Sequence, residues 1–406
     1  MTRYLLPGCF YKLAQVAIIK VMEKLDFPKG FLWGSATSSY QVEGGIENND
    51  WAEAGRQGKV PLAGRACDHY NLYEKDFDIV KELGQNAHRL SIEWARVEPE
   101  EGKFDEKEIE HYRKVLQALR DRGIEPFVTL WHFTLPLWFA KKGGFENPKA
   151  PEIFARYCGY MVEKLGDMAK FWITINEPII YSWQSYVKGV WPPFKKNIFT
   201  FKKVTKTLIS SHLASHNVIK KINPSLQVGI AKNNMDFDSS RFNLLGRAIQ
   251  VFRNKFWNHY FLKKISRHQD FLGLNYYFHK HFGYKFYEQK SDMGWAIYPK
   301  GIYHLLKELK RYNLPIYITE NGLADAVDQK RAKFIKDHLH WAQKAMQEGV
   351  DLKGYFYWSL LDNFEWAHGF DPRFGLIEVD YETMERKIRP SAWEYKRICE
   401  TNSLEI

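Results

Sequence analysis

Two glutamate motifs carry the residue types needed for acid–base chemistry. Residues 174–178 read Thr-Ile-Asn-Glu-Pro and residues 318–322 read Ile-Thr-Glu-Asn-Gly, so Glu177 and Glu320 each end a β-branched run that Pro or Gly terminates. Such a run is typical of a barrel strand that delivers its last side chain to a shared pocket. Two carboxylates facing one site can cleave a glycosidic bond, one as a protonated acid and one as an ionised base or nucleophile. Either glutamate alone is equally consistent with an N-cap of a following helix.

The composition bounds the fold and the compartment. A chain of 406 residues with 45% hydrophobic and 16% aromatic content allows two ordinary domains or one large α/β barrel. The four cysteines lie far apart, without paired or metal-type spacing. This pattern favours a reduced, cytoplasmic protein over a disulfide scaffold.

The net charge of +11 raises the question of a nucleic-acid partner. The basic residues lie mostly on helical stretches such as 336–344 or in loops such as 195–196, and no compact basic motif is interleaved with aromatic residues. We therefore interpret the charge as a solvated surface and expect no nucleic-acid partner.

Residues 1–21 form a segment of doubtful role before a natural-looking start at Met22. Its apolar runs are too short to cross a bilayer, so we expect no membrane partner. We predict an N-terminal extension over 1–21, either an upstream start or an added amphipathic arm, and one domain over 22–406.

From Phe27 onward, short β-like runs alternate with amphipathic helical stretches, which predicts a single (β/α)8 TIM barrel. The strand-like runs are 31–34, 87–94, 126–132, 171–176, 228–232, 271–277, 316–320 and 354–360; the clearest helical patterns are 109–122, 154–165, 213–222, 302–311 and 332–347. An open doubly wound sheet would show a Gly-rich phosphate loop after the first strand, and none is present.

Polar and aromatic residues gather at the carboxyl ends of these runs, which meet at one face of a barrel. The set comprises Gln41, Glu43, Arg89, Glu93, Trp94, Trp131, His132, Asn176, Glu177, Asn275, Tyr277, Glu320, Trp358, Glu365 and Trp366. Any single member has an ordinary packing explanation. Their convergence predicts an active site there.

Together these motifs resemble glycoside hydrolase family 1, the β-glucosidase-like retaining enzymes, from Phe27 to about Arg397. The resemblance rests on the two glutamate motifs together with residues 31–37 (FLWGSAT), 89–94 (RLSIEW), 129–133 (TLWHF) and 358–366 (WSLLDNFEW). Several such motifs in the same order are highly specific.

The resemblance implies a role for each matched residue. Glu177 corresponds to the acid/base and Glu320 to the nucleophile, with Arg89 and Tyr277 holding the nucleophile. The implied substrate-binding residues are Gln41, His132, Asn176, Asn275, Trp358, Glu365, Trp366 and Phe374. We expect a raised pKa for Glu177 and an ionised Glu320.

The implied activity is retaining, exo-acting hydrolysis of a terminal non-reducing β-D-glucosyl residue, and also of galactosyl or fucosyl residues. The ligands would be small β-glycosides or short oligosaccharides. Because a carboxylate at Glu365 would repel a phosphate, an unphosphorylated sugar is favoured. The resemblance implies no cofactor and no metal.

The chain departs from the family pattern between the two glutamates, where it looks short by a few tens of residues. The shortening falls after Asn234, before Asp270, and between Tyr277 and Trp295. We expect a more open cleft with looser leaving-group selectivity.

We also expect the shortening to uncover apolar surface around Phe252, Phe256, Trp257 and Phe261. Such a surface would serve a partner subunit or a flat hydrophobic ligand. The oligomeric state is open at this point.

Two other function classes stay open. The chain could be a catalytically weak glycan-binding barrel, if the shortened segments prevent assembly of the site. It could also be a metal-dependent hydrolase that uses His338 and His340, or Asp68 and His69. Histidines two apart on a helix point to different faces, so the first pair is a poor chelate.

Overall fold

The computed structural model describes residues 24–283 and 289–405, so the predicted extension over 1–21 lies outside the described residues. The strands are β1 Lys24–Asp26, β2 Leu32–Ala36, β3 Ala87–Ser91, β4 Glu125–Thr129, β5 Phe171–Asn176, β6 Gln227–Ser239, β7 Phe271–Phe282, β8 Ile316–Asn321, β9 Leu352–Trp358, β10 Ile377–Val379, β11 Arg386–Ile388 and β12 Ser403–Glu405. The helices are α1 Ser39–Val42, α2 Asp50–Arg56, α3 His69–Glu82, α4 Trp94–Val97, α5 Glu106–Asp121, α6 Leu137–Lys141, α7 Ala150–Leu165, α8 Pro178–Trp183, α9 Ile198–Ile222, α10 Leu244–Arg253, α11 Tyr260–Ile265, α12 Lys300–Leu309, α13 Arg331–Gln347 and α14 Pro390–Thr401.

Strands β2 to β9 close into a parallel barrel in chain order, and β2 pairs with β9 to complete it. This confirms the predicted (β/α)8 fold. The β1–β12 and β10–β11 pairs are short antiparallel ribbons outside the barrel. Each predicted strand is present, although β3 and β4 end three residues earlier than the sequence pattern indicates.

Strands β6 and β7 differ most from their predicted lengths. They stay paired beyond the barrel as far as Ser239 opposite Phe282. The backbone groups that face each other pair across the ribbon. On its other edge, Asn258 bonds both backbone groups of Met235, and Gln250 donates to the Phe237 carbonyl. We call residues 235–239 and 278–282 the β6–β7 ribbon.

Helix α5 shows how local sequence sets the outer layer. The side chain of Asp105 caps its amino end by accepting from the backbone N–H of Lys107 at 2.9 Å. Buried residues at Ile109, Tyr112 and Leu116 recur every three or four positions, so one face packs on the barrel.

An aromatic plug fills the barrel interior below its carboxyl end. The ring of Phe127 lies 4.2 Å from that of Phe171, 5.1 Å from Tyr317 and 4.7 Å from Phe356, measured between centroids. Small residues such as Ala87 complete this inner cluster. The plug fills the barrel directly below the polar residues at the strand ends.

The expected apolar surface was wrong in its position. Phe261 is fully buried, and Phe256 and Trp257 are half-buried because their rings pack against Phe201 and Trp183. Only Phe252 of the predicted set is exposed. The exposed apolar residues extend instead toward the amino end of α10.

Two of the three histidines considered as metal ligands have hydrogen-bond partners, whereas His340 Nδ1 has none among the residues that the structure describes. His69 pairs with Asp76 at 2.7 Å, and His338 lies 2.8 Å from the Phe334 carbonyl. Across residues 24–283 and 289–405, no group of three or more potential ligand side chains comes together. Within the same ranges, no helix has the length and apolar character to cross a membrane.

Replacing Phe127 by Ala is expected to lower the free energy of unfolding by about 3–5 kcal/mol, because it leaves a cavity in the plug. Denaturant titration followed by tryptophan fluorescence measures the change. Phe199→Ala serves as the control, since Phe199 is 77% exposed and should change stability by less than about 0.5 kcal/mol. Equal losses in the two variants would contradict the plug's role.

Candidate active site

The two predicted glutamates meet at the carboxyl end of the barrel. Glu320 is on β8, and Glu177 directly follows β5. Both line a cavity of about 440 Å³. A more open cavity of about 830 Å³ lies at the opposite end, among the loops at the amino ends of the strands, and neither glutamate lines it.

Glu320 is buried and held by two donors. Arg89 Nη1 lies 2.5 Å from Glu320 Oε1, and the Tyr277 hydroxyl donates to Oε2 at 2.8 Å. A buried cation and a phenol donor both stabilise the ionised carboxylate.

Glu177 has a different environment. Asn275 Nδ2 donates to Glu177 Oε1 at 2.9 Å, and the charge of the buried Lys232 also acts on this carboxylate. The residue adopts a left-handed backbone conformation, with φ of 43°, which is costly for a non-glycine residue. Its backbone N–H donates to the Ala231 carbonyl at 2.8 Å, and Pro178 then begins α8. The strained turn aims the side chain into the cavity.

Arg89 connects four strands of the barrel. From β3 it donates to Thr129 on β4 at 3.2 Å, to Asn176 on β5 at 2.7 Å, and to Glu320 on β8. Asn176 in turn contacts His132 Nε2 at 3.1 Å. The guanidinium therefore sets the positions of the nucleophile candidate and of the amide beside it.

Burial and mutual repulsion raise the pKa values of the acids in this cavity. Burial, then the charge of Glu320, raises the pKa of Glu177 to about 8. Burial also raises the pKa of Glu320, but its contacts with Arg89 and Tyr277 oppose the shift. Amide donors and the charge of Lys232 oppose the rise for Glu177, whereas Glu320 is hydrogen-bonded directly to a guanidinium, which favours its ionised form. Burial holds the pKa of His132 below its usual range, so this imidazole is neutral.

The predicted sugar-binding residues at the end of β9 line the same cavity. These are Trp358, Glu365, Trp366 and Phe374. The rings of Trp358 and Trp366 each lie 5.9 Å from that of His132 and nearly parallel to it. Burial and the other two glutamates raise the pKa of Glu365 to about 8.

A buried ion pair anchors the loop that carries Glu365. Arg389 donates to both oxygens of Asp362 at 3.0 Å, and the backbone N–H of Gly375 donates to Asp362 Oδ1 at 2.8 Å. Because these contacts tie both ends of the loop to α14, the side chains between them have fixed positions.

Three of the residues to which the resemblance gives a role do not line the cavity: Gln41, Arg89 and Asn275. Each supports a carboxylate that does. Asn275 donates to Glu177, Arg89 donates to Glu320, and Gln41 Nε2 lies 3.5 Å from Glu365 Oε2. Gln41 is itself held by the Phe364 carbonyl at 2.8 Å.

Sequence reasoning missed Lys232 and Asn233 on β6. Asn233 lines the cavity, and Lys232 is buried with its ammonium donating to the Asn233 carbonyl. Burial lowers the pKa of Lys232 to about 7. A lysine inside an otherwise apolar strand run was the available signal.

Aromatic residues of the cavity wall were missed as well. Trp191, Phe278 and Trp295 line it, and the Phe278 and Trp295 rings lie 4.6 Å apart. Nothing in their local sequence distinguishes these rings from core residues.

The sequence model of "Glycosyl hydrolase family 1" matches residues 23–264 and 279–404. The chain belongs to this family. It is therefore a family 1 β-glycosidase, and the resemblance seen in the sequence motifs is confirmed.

Similar proteins of known sequence and structure agree with this assignment. The chain is 35% identical to "Beta-glucosidase A" of Acetivibrio thermocellus, over 94% of this chain and 100% of the relative. The "beta-glycosidase from Pyrococcus horikoshii" superposes with a TM-score of 0.90 at 39% identity, covering 95% of this chain and 97% of the other. The "Beta-glucosidase from Thermotoga maritima in complex with glucoimidazole" has a TM-score of 0.89 at 35% identity, covering 93% and 99%.

The alignments also bear on chain length. The match to the Acetivibrio thermocellus enzyme extends over 453 aligned positions although it includes only 94% of these 406 residues. The relative therefore contains segments that this chain lacks.

Replacing Glu177 by Gln is expected to stabilise the protein more at pH 9 than at pH 5. A carboxyl group whose folded pKa is raised from 4.5 to about 8 loses stabilising free energy as the pH rises through this window, and Gln does not titrate. We expect the thermal midpoint of the variant, relative to wild type, to gain about 2–4 °C between the two pH values. Calorimetry at both pH values measures it.

Glu152→Gln is the control for this prediction, because Glu152 is exposed on α7. Its effect on the midpoint should be the same at both pH values. A pH-independent effect of Glu177→Gln would show that burial does not raise the pKa of this carboxyl.

Proposed function

We propose that the protein is a retaining, exo-acting β-glycosidase that removes a terminal non-reducing β-D-glucosyl residue from unphosphorylated glycosides. The observation that carries the proposal is the unequal support of two glutamates in one cavity. Glu320 contacts a guanidinium and a phenol, whereas Glu177 contacts an amide. Unequal environments separate the roles of an ionised nucleophile and a protonated acid.

In the first step, a Glu320 oxygen attacks the anomeric carbon as the bond to the leaving oxygen breaks. Glu177, protonated because its pKa is about 8, gives its proton to that oxygen. The product is a glycosyl ester on Glu320. In the second step Glu177, now ionised, takes a proton from water, which attacks the anomeric carbon and releases Glu320.

The remaining cavity residues are proposed to hold the sugar. Asn176, fixed by Arg89, is placed to bind the 2-hydroxyl, a contact that strengthens in the transition state. His132, Gln41, Glu365 and Trp366 would bind the other hydroxyls, with Trp358 as a stacking surface and Phe374 close by. Asn275 contributes by holding Glu177 and Asn176.

Glu365 supports an unphosphorylated substrate. A phosphate beside this half-buried carboxyl would add negative charge to a cavity that already holds Glu177 and Glu320. Galactosides and fucosides are proposed as further substrates. The "Beta-glucosidase" name of the relatives and the glucoimidazole in one solved relative support a glucose-like sugar in this cavity.

The chemistry proposed needs two carboxylates and water, so we propose no cofactor. The alternative of a catalytically weak glycan-binding barrel is not favoured, since the similar proteins are named as glycosidases. The cytoplasmic location and the looser selectivity for the leaving group stay predictions.

Hydrolysis of para-nitrophenyl β-glucoside should fall by at least about a thousandfold in both Glu177→Gln and Glu320→Gln, because each variant loses one essential group. β-Galactoside and β-fucoside, assayed in parallel, rank the sugars. Proton NMR of the first-formed product should show the β-anomer, which is the expected outcome of two displacements. An α-anomer formed first would disprove retention, and unchanged turnover in either variant would disprove the assignment of that glutamate.

Replacing Tyr277 by Phe should shift the acidic limb of the kcat/KM profile upward by about one pH unit. The phenol stabilises ionised Glu320, so its loss raises the pKa of that carboxyl and delays formation of the nucleophile. Tyr276→Phe is the matched control, because the Tyr276 hydroxyl donates to the Tyr298 carbonyl instead. A downward shift, or an equal shift in both variants, would contradict the role of Tyr277.

A further inference from the structure

Helix α10 has its polar side toward the protein and its apolar side toward solvent. Within this described helix Gly246 alone is buried. The exposed apolar residues of the segment are Phe242, Leu244, Leu245, Ile249, Val251 and Phe252, with Phe242 at 87% and Leu244 at 77% exposure. A surface helix of a soluble protein normally shows the opposite arrangement.

The inward side is held by hydrogen bonds and not by apolar packing. Gln250 accepts from Ser239 Oγ and donates to the Phe237 carbonyl, both at 2.7 Å. One turn later, Asn254 Nδ2 donates to Glu308 Oε1 at 2.8 Å. Asn258 bonds both backbone groups of Met235, at 2.8 and 3.0 Å. These directional contacts fix which side of the helix faces the β6–β7 ribbon, so the outward apolar face is a settled feature of the fold.

The charged residues of the segment itself are all positive, although Asp238 and Glu308 lie on the elements packed against its inward side. Arg241, Arg247, Arg253 and Lys255 are exposed, and residues 240–256 contain no Asp or Glu. A helix that combines exposed Leu and Phe with flanking Arg and Lys has the chemistry of a segment that lies in the interface of an anionic bilayer.

The same charges argue against the other occupants of the face. A two-fold contact with a second copy would bring two sets of these cations together. Residues 1–21 of this chain contain Arg3, Lys12 and Lys20 and no acidic residue, so they offer no complementary charge either.

The face lies at the catalytic end of the barrel. Helix α10 packs against the β6–β7 ribbon, which projects from the carboxyl ends of its strands. Phe278 of that ribbon lines the catalytic cavity. A membrane bound at α10 would therefore lie beside the mouth of the cavity.

We propose that the apolar face of α10, with Phe242 and its flanking cations, docks the protein peripherally on anionic lipid bilayers. No membrane partner was expected from the sequence because its apolar runs are too short to cross a bilayer. That argument does not apply to an interfacial helix, which lies on the membrane without crossing it. Docking is independent of the proposed hydrolysis. It would hold the cavity mouth next to the lipid surface.

Flotation of the 406-residue chain with lipid vesicles tests this surface directly. One set of vesicles is pure phosphatidylcholine and neutral, and the other contains about 30% phosphatidylglycerol and is anionic. Wild type should float with the anionic vesicles, weakly with the neutral ones, and less as salt rises. Leu244→Ser/Leu245→Ser/Phe252→Ser should reduce flotation at least about tenfold. Arg247→Gln/Arg253→Gln should reduce both the flotation and its salt dependence.

Two control variants and one solution measurement separate the alternatives. Trp393→Ser, which changes a 40% exposed apolar residue on α14, should float like wild type. Phe10→Ser/Ile18→Ser should also float like wild type. If this variant failed to float while the triple variant still floated, the lipid contact would belong to residues 1–21 and the proposal would be overturned. Thermal midpoints confirm that each variant is folded.

Failure of wild type to float with anionic vesicles would also overturn it. If sedimentation velocity then showed a dimer that the triple variant lacks, the face would be an interface between two copies.

Discussion

The buried guanidinium of Arg89 is the constraint on which the catalytic end of the barrel depends. A cation removed from water must be neutralised and fully hydrogen-bonded, or its burial is strongly unfavourable. Its donors reach Thr129, Asn176 and Glu320, which come from three other strands. The barrel can close in this register only if these acceptors arrive together. Loss of Glu320 would leave the guanidinium charge unpaired, and loss of Thr129 or Asn176 would remove an acceptor from one of its N–H groups.

The carboxylates of the cavity follow one design. Each lines the cavity and has polar partners: Asn275 and the charge of Lys232 for Glu177, Arg89 and Tyr277 for Glu320, and Gln41 for Glu365. Their surroundings differ, because Glu320 is hydrogen-bonded directly to the Arg89 guanidinium. Burial raises all three pKa values, and the guanidinium opposes the rise for Glu320 alone. The proposed separation of acid and nucleophile rests on this difference in supporting contacts.

The region between the two glutamates departs from the simple barrel. Strands β6 and β7 continue beyond it, and the helical run that follows β6 packs on the resulting ribbon through Gln250, Asn254 and Asn258. Relatives contain segments that this chain lacks. Because its polar groups face the protein, α10 exposes its Leu and Phe side chains to solvent. An exposed apolar face of this kind indicates a surface that binds a partner. The same ribbon supplies Phe278 to the cavity wall, so docking and substrate access share one element.

Much of this protein was predictable from the sequence. Alternating strand and helix patterns predicted the barrel, and glutamates, amides and tryptophans at strand ends predicted its site, because a parallel barrel brings all carboxyl ends to one face. Strand lengths were less predictable: β6 and β7 pair past the barrel through backbone hydrogen bonds, which leave no mark on side-chain periodicity. The expectation that the shortened segments uncover apolar surface also included Phe261, although it is buried. Only the tertiary structure decided which residues support Glu177 and Glu365, the involvement of Lys232 and Asn233, and the outward face of α10. These features depend on contacts between segments that are far apart in the sequence, and the local sequence of one segment does not specify its partner.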